Sequence, residues 1–324
     1  PFHDPQGYQG DDLINQQSLI YTVYSPNPYL VKNGVVLFNG AFGGLTIDTW
    51  DPTSNGYFAT HDCKFDNTNT LDPECDYNRV RNLLNTNGYT EKQVQAIFYK
   101  VANEFPQCDL KHTAGFCSSQ ATLADAYLVE QYLGRILRYL QKGLPNSNPP
   151  VPQRYTNLQQ VFFTSRIYGG YAVRPPIQTP NDQVGCQSPE PYAYETGFSI
   201  QRATRAQIDS TADIYSGALH FDPNSAQNSD APWFDWGPYL WANSVNASSN
   251  GLNYCDHGST APSCLGNGGD VRYGDPLAPN YWGDHVHPTY NAQSKITPVL
   301  RNFLLGTLIG PQSYISNWVT WAKP

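Results

Sequence analysis

"LQQVFFTSR", residues 158–166, reads as a strand buried on both sides. Its apolar run is short and continuous rather than alternating, the pattern of a parallel strand covered by helices. Working outward supports that reading. Immediately upstream, "SQATLADAYLVEQYLGRILRYLQKG" (119–143) places Leu123, Tyr127, Val129, Leu133, Ile136, Leu137 and Leu140 at helical spacing. Gly143 and Pro145 end it. Before it, "KQVQAIFYKVAN" contains a strand over about 94–101, and "YNRVRNLLNTNG" (77–88) is a helix with a glycine stop. "SLIYTVY" (18–24) and "GVVLFNG" (34–40) read as further strands, and 41–50 turns toward a helix. Downstream, Ser188 and Pro189 cap and open a helix over 188–208, and a last helix covers about 290–305. Strands alternate with helices four times. The expected fold is α/β: a three-layer α/β/α domain with a mainly parallel sheet.

The 324 residues show no repeat and no linker long enough to divide them, so one domain over 1–324 is expected. Three loop insertions interrupt it, at about 51–78, 104–119 and 210–283, the last containing Trp233, Trp236 and Trp241 as loop anchors or sugar-stacking surfaces. With 19 Lys and Arg against 27 Asp and Glu, the formal charge is −8. That balance argues against nucleic acid or anionic membrane as a partner. No run approaches the ~20 apolar residues of a membrane helix.

Charged residues are only 14%, while Tyr numbers 23, Pro 26 and Gly 26, a loop-rich, uncharged polar surface that fits a secreted protein. The seven cysteines point the same way. Their spacing pairs Cys63 with Cys75, Cys108 with Cys117 and Cys255 with Cys264, leaving Cys186 unpaired. Each local disulfide would contribute roughly 2–3 kcal/mol on the chain-entropy model. No C-x2-C spacing suggests a metal, and neither a metal nor a cofactor is expected. Asn246, in "NAS", is a candidate glycan acceptor. The chain opens "PFHDPQGYQG" and contains no Met, which reads as a processed form or a chain whose true start lies upstream.

Ligands in parallel sheets sit at the C-terminal ends of the strands. The residues following each expected strand are therefore informative. They are Ser25 in "VYSPN", Gly43 and Gly44 in "NGAFGGLT", Asn103 in "FYKVAN", and Ser165 and Arg166 in "SRIYGGY". "GDHVHP" adds Asp284 and His287 at the entry to the last helix. A hydroxyl, glycine-freed backbone amides, a carboxamide, an imidazole and a carboxylate make up the kit for acyl transfer. The simpler readings are a capped turn for Asp284 and His287, tight turns for Gly44 and Asn103, and a Ser-Pro turn for Ser25. Arg166 reads as an ion-pair partner of Glu190 or Glu195 beneath the site.

These phrases resemble the SGNH/GDSL hydrolase superfamily. "GDHVHP" is similar to its last block, with Asp and His three apart before the final helix. "NGAFGGLT" is similar to its second block, whose glycine maps to Gly44, and "FYKVAN" to its third, whose Asn maps to Asn103. "SRIYGGYA", "PEPYAYETGF" and "APWFDWGPYLWA" look like a bacterial subgroup of the superfamily. The resemblance, over about residues 34–305, implies an ester hydrolase acting on a small acyl ester or a carbohydrate-linked one. In it Ser25 would attack, His287 act as base, Asp284 hold the imidazole, and Gly44 and Asn103 bind the oxyanion. The departure is at the first block: no Gly-Asp-Ser turn is present, and only 18 residues separate Ser25 from Gly44. Ser18, or a serine upstream of Pro1, is the other candidate nucleophile. The alternative is a non-catalytic extracellular protein on the same scaffold.

Overall fold

The computed structural model describes residues 36, 38–40, 45–53, 74–100, 102–103, 106–113, 117, 121–164 and 191–238, together with 254–255, 271–272 and 303. Three parallel strands form the central sheet in the order β1 (Ala96–Lys100), β2 (Gln160–Thr164), β3 (Trp233–Trp236). Helix α1 (Cys75–Thr86) precedes β1, α2 (Asp125–Lys142) joins β1 to β2, and α3 (Tyr192–Ile208) lies between β2 and β3. The described residues are thus an α/β arrangement. A separate parallel pair joins β4 (Tyr254–Cys255) to β5 (Val271–Arg272).

The register aligns Tyr99 with Phe163 and Trp236, and Phe98 with Phe162 and Asp235. Side chains alternate across a strand, so Phe163 and Phe162 face opposite sides. On one side Tyr99 stacks on Phe163 at 4.9 Å, and Phe234 meets Phe163 edge-on at 5.4 Å. Val129, Leu133, Ile136, Leu137 and Leu140 of α2 and Ile200 and Ala203 of α3 complete that core. Both crossovers step the same way along the sheet, and right-handed connections then put both helices on one face. On the other side, Phe162 is buried and meets Phe303, a helical residue, edge-on at 5.4 Å.

Around α1 the core is built from tyrosines. Tyr77 is buried and donates its hydroxyl to the Trp50 carbonyl at 2.7 Å. Its ring packs against Trp50, Tyr139 and Tyr155. Arg154 lies over the Tyr77 ring at 5.6 Å and pairs with Glu91 at 2.8 Å and Glu74 at 3.3 Å. This cation-π and ion-pair cluster ties the α1 start to the segment entering β2.

Several expectations change. Helix α2 begins at Asp125 rather than 119, because Ala124 is extended and residues 121–124 are not helical. Of the strand expected over 34–40, residues 36 and 38–40 are described and belong to no ladder. Val36 is 43% exposed, while Phe38 packs on Tyr89 and the Gly40 carbonyl accepts from Arg79. Side-chain contacts with α1 and with the turn that follows it therefore hold these residues. The helical turn expected within 41–50 is one 3-10 turn, Asp48–Trp50.

The insertion expected over 51–78 ends inside α1, and residues 51 and 52 are buried. The 210–283 loop contributes β3: Trp233 and Trp236 are strand residues, not loop anchors. Four residues interrupted by Asp235 are too short a run to announce a strand; the ladder with β2 makes them one. Cys108 and Cys117 are disulfide-bonded, and Cys75 also carries a disulfide. Cys63, Cys186 and Cys264 lie outside the described residues, as do Ser188 and Pro189.

Residues 213–217 are pinned to α2 by a close approach at Gly134. A Cβ there would lie 2.1 Å from the Ser216 carbonyl oxygen, which also accepts from Arg138. On helix propensity alone, Gly134→Ala would stabilise α2 by about 1 kcal/mol. The clash with backbone should reverse the sign, to a loss of about 1–3 kcal/mol. The expected result is a lower denaturant midpoint with an unchanged m-value. A midpoint at or above the wild-type one would refute the close packing.

Candidate functional site at the strand ends

The chain leaves β1 through Ala102 and Asn103, at the C-terminal edge of the sheet. There the Ile47 amide donates to the Ala102 carbonyl at 3.1 Å. The segment that follows Gly44 in sequence therefore runs beside the residue before Asn103. The Asn103 side chain is held in turn: Nδ2 donates to Asp125 Oδ1 at 2.8 Å. Asp125 opens α2, and its own amide donates to the Cys108 carbonyl at 2.8 Å. At the same edge Thr164, the last residue of β2, donates its hydroxyl to the Pro238 carbonyl, and the Gly237 amide donates to the Phe163 carbonyl.

Three buried acids frame this corner. Asp125 is 1% exposed, and burial pushes its carboxyl up to about 7, against the pull of the Asn103 hydrogen bond. Asp48 and Glu195 add to the rise through their charges. Glu195 is also pushed up to about 7 by burial, with Oε2 accepting from the Leu110 amide at 3.0 Å. Asp48 is raised by burial too, and its carboxylate accepts from the Thr46 hydroxyl. Asp125 Oδ2 is buried with no hydrogen-bond partner among the described residues.

The Cys108–Cys117 disulfide closes the loop behind this corner. His112 Nδ1 lies 3.2 Å from Cys108 Sγ, and the Asp109 carboxylate accepts from the Thr113 amide at 2.7 Å. Cys108, His112 and Cys117 are close enough together to hold a metal ion. With both sulfurs in the disulfide, neither is a thiolate ligand.

Of the residues expected to form the site, Asn103 is described and lies at the C-terminal edge. Ser25, Gly44, Asp284 and His287 lie outside the described residues, as do Ser18, Ser165, Arg166, Trp241 and Asn246. Glu195, expected beneath the site, is buried beside the Asn103–Asp125 corner. Sequence reasoning missed Asp125 and Asp48. A signal existed for Asp125: it lies four residues before Val129 and eight before Leu133, on the apolar face of the helix. Comparison with protein-family models, with curated proteins and with solved structures returns no match.

The buried acids make stability depend on pH with a definite sign. A carboxyl whose folded pKa is raised binds its proton more tightly folded than unfolded. Its penalty is absent below the unfolded pKa, near 4, and complete above the folded one. Asp125 and Glu195 at about 7, and Glu130, pushed by burial to about 8, should therefore lower stability as pH rises from about 4 to 8. Asp213 and Asp222, whose pKa values are lowered, act below that window. The expected observation is a higher urea midpoint at pH 5 than at pH 8, with the difference reduced in Asp125→Asn. A midpoint that rises across the window would contradict these environments.

Proposed function

We propose that the protein is a secreted ester hydrolase of the SGNH type, with a three-layer domain, acting on a small acyl ester or a carbohydrate-linked ester. Ser25 attacks the carbonyl, His287 takes its proton, and Asp284 orients the imidazole. The Gly44 amide and Asn103 Nδ2 donate to the oxyanion. One observation carries the reading. The carboxamide that matches the third block lies at the C-terminal edge of a parallel sheet, beside the chain that follows the second-block glycine. Ligand chemistry in α/β sheets belongs at that edge. Asn103 has two Nδ2 protons; Asp125 accepts one, and no acceptor among the described residues takes the other, which leaves it for a reacting carbonyl oxygen.

A second reading keeps the scaffold and drops the chemistry. It is favoured by the missing Gly-Asp-Ser turn and the short Ser25-to-Gly44 spacing. Activity separates the two. The hydrolase reading expects slow release of alcohol from short acyl esters and fluorophosphonate labelling at Ser25. His287→Ala should lower the rate by roughly 10⁴-fold, because serine without its base is a poor nucleophile. No label, with hydrolysis at background in both proteins, would leave the non-catalytic scaffold.

A further inference from the structure

Many of the described acids pair with arginine. Asp51 pairs with Arg135, Asp76 with Arg79, Glu130 and Asp213 with Arg202, and Glu74 and Glu91 with Arg154. Asp125, like Asp48 and Glu195, makes no salt bridge among the described residues. Among the described residues its carboxylate has no cationic partner. Oδ1 accepts from Asn103, Oδ2 is buried without a close hydrogen bond among the described residues, and the Gln107 backbone amide pulls against the rise in pKa. A buried acid with half its acceptors unmet is costly to a fold. For simply starting a helix, Ser or Asn would serve at lower cost. The Gln107 backbone amide favours the charged form of Asp125, and Asn103 is the one side chain among the described residues that hydrogen-bonds to it, at 2.8 Å.

That contact has a geometric consequence. A carboxamide is planar, and fixing one Nδ2 proton on an acceptor fixes the direction of the other. Asp125 is itself fixed from behind, through its amide on the Cys108 carbonyl, in the loop that the Cys108–Cys117 disulfide closes. From disulfide to Asp125 to Asn103, each link is a single hydrogen bond or a short stretch of backbone. A donor to an oxyanion is effective only when held in place before the charge develops.

We propose that Asp125 is a positioning residue: it holds the Asn103 carboxamide so that its free Nδ2 proton serves as an oxyanion donor. The inference rests on the hydrolase reading and deepens it. Asp125 touches no substrate and acts through Asn103 alone. Its loss therefore slows turnover and leaves substrate binding unchanged.

The test uses the full chain, p-nitrophenyl acetate and a fluorophosphonate probe, with wild type, Asp125→Ala and Asp125→Asn compared. Asp125→Ala should lose about 10- to 100-fold in kcat, since a misplaced catalytic group costs rate on that scale. KM should stay within about twofold. Asp125→Asn keeps an oxygen acceptor in the same place and should remain within about threefold of wild type. Should the Ala variant fail to fold, the wild-type protein supplies an independent measurement. In its NMR spectrum one Asn103 Nδ2 proton should be protected from exchange and should shift as Asp125 titrates. An active wild type with an equally active Asp125→Ala overturns the positioning role and leaves the hydrolase reading standing. Two Asn103 protons exchanging like a free amide overturn it as well. A wild type that neither hydrolyses the ester nor takes the label ends the hydrolase reading and the positioning role together.

Discussion

The described architecture depends on β2 being buried on both faces. Its backbone is paired on both edges, to β1 and β3, so its polar groups are satisfied within the sheet. Its side chains then have to be covered twice. Phe163 is covered by Tyr99, Phe234 and the shared core of α2 and α3, and Phe162 packs against Phe303. Parallel pairing requires a crossover on each side of β2, and α2 and α3 supply them. The same pairing directs β1, β2 and β3 toward one edge. Asn103, Thr164 and Gly237 gather there as a consequence of topology.

Polar groups in the described core divide by partner. Around α1, Arg154 joins Glu74, Glu91 and Asn78 with a tyrosine face beneath it. Between α2 and α3, Arg202 joins Glu130 to Asp213 and lies over the Tyr127 and Tyr215 rings, which stack at 4.1 Å. Such clusters bind elements together and are locally neutralised. The corner at the strand ends is built differently. Asp48, Asp125 and Glu195 are met by a hydroxyl, a carboxamide and a backbone amide, all neutral donors. Burial raises their pKa values, as it raises that of Glu130 despite Arg202.

The sequence made most of this order legible where periodicity was long. The stripe from Val129 to Leu140 and the run around Phe163 identified α2 and β2, because burial on a helix face or in a two-sided strand leaves a regular apolar pattern. β3 was illegible, since Asp235 splits its four residues and the ladder with β2 supplies what local pattern does not. The start of α2 was misplaced because Ala and Leu at 121–124 suit a helix, while Ala124 is extended and Asp125 donates its amide to the Cys108 carbonyl. Asn103 was legible through the phrase around it. Asp125 was passed over, because one acid in a helix's first turn usually answers the helix dipole, although its place in line with Val129 and Leu133 was a signal. Its burial and its bond to Asn103 then distinguish it in the structure.

The most direct test is a crystal structure of the protein inactivated by a fluorophosphonate. The account predicts an adduct on Ser25, with the phosphonyl oxygen within about 3 Å of Asn103 Nδ2. It also predicts that the other Nδ2 proton still lies on Asp125. An adduct at another serine away from the C-terminal edge of β1, or an Asn103 side chain turned from the phosphonyl oxygen, would contradict it.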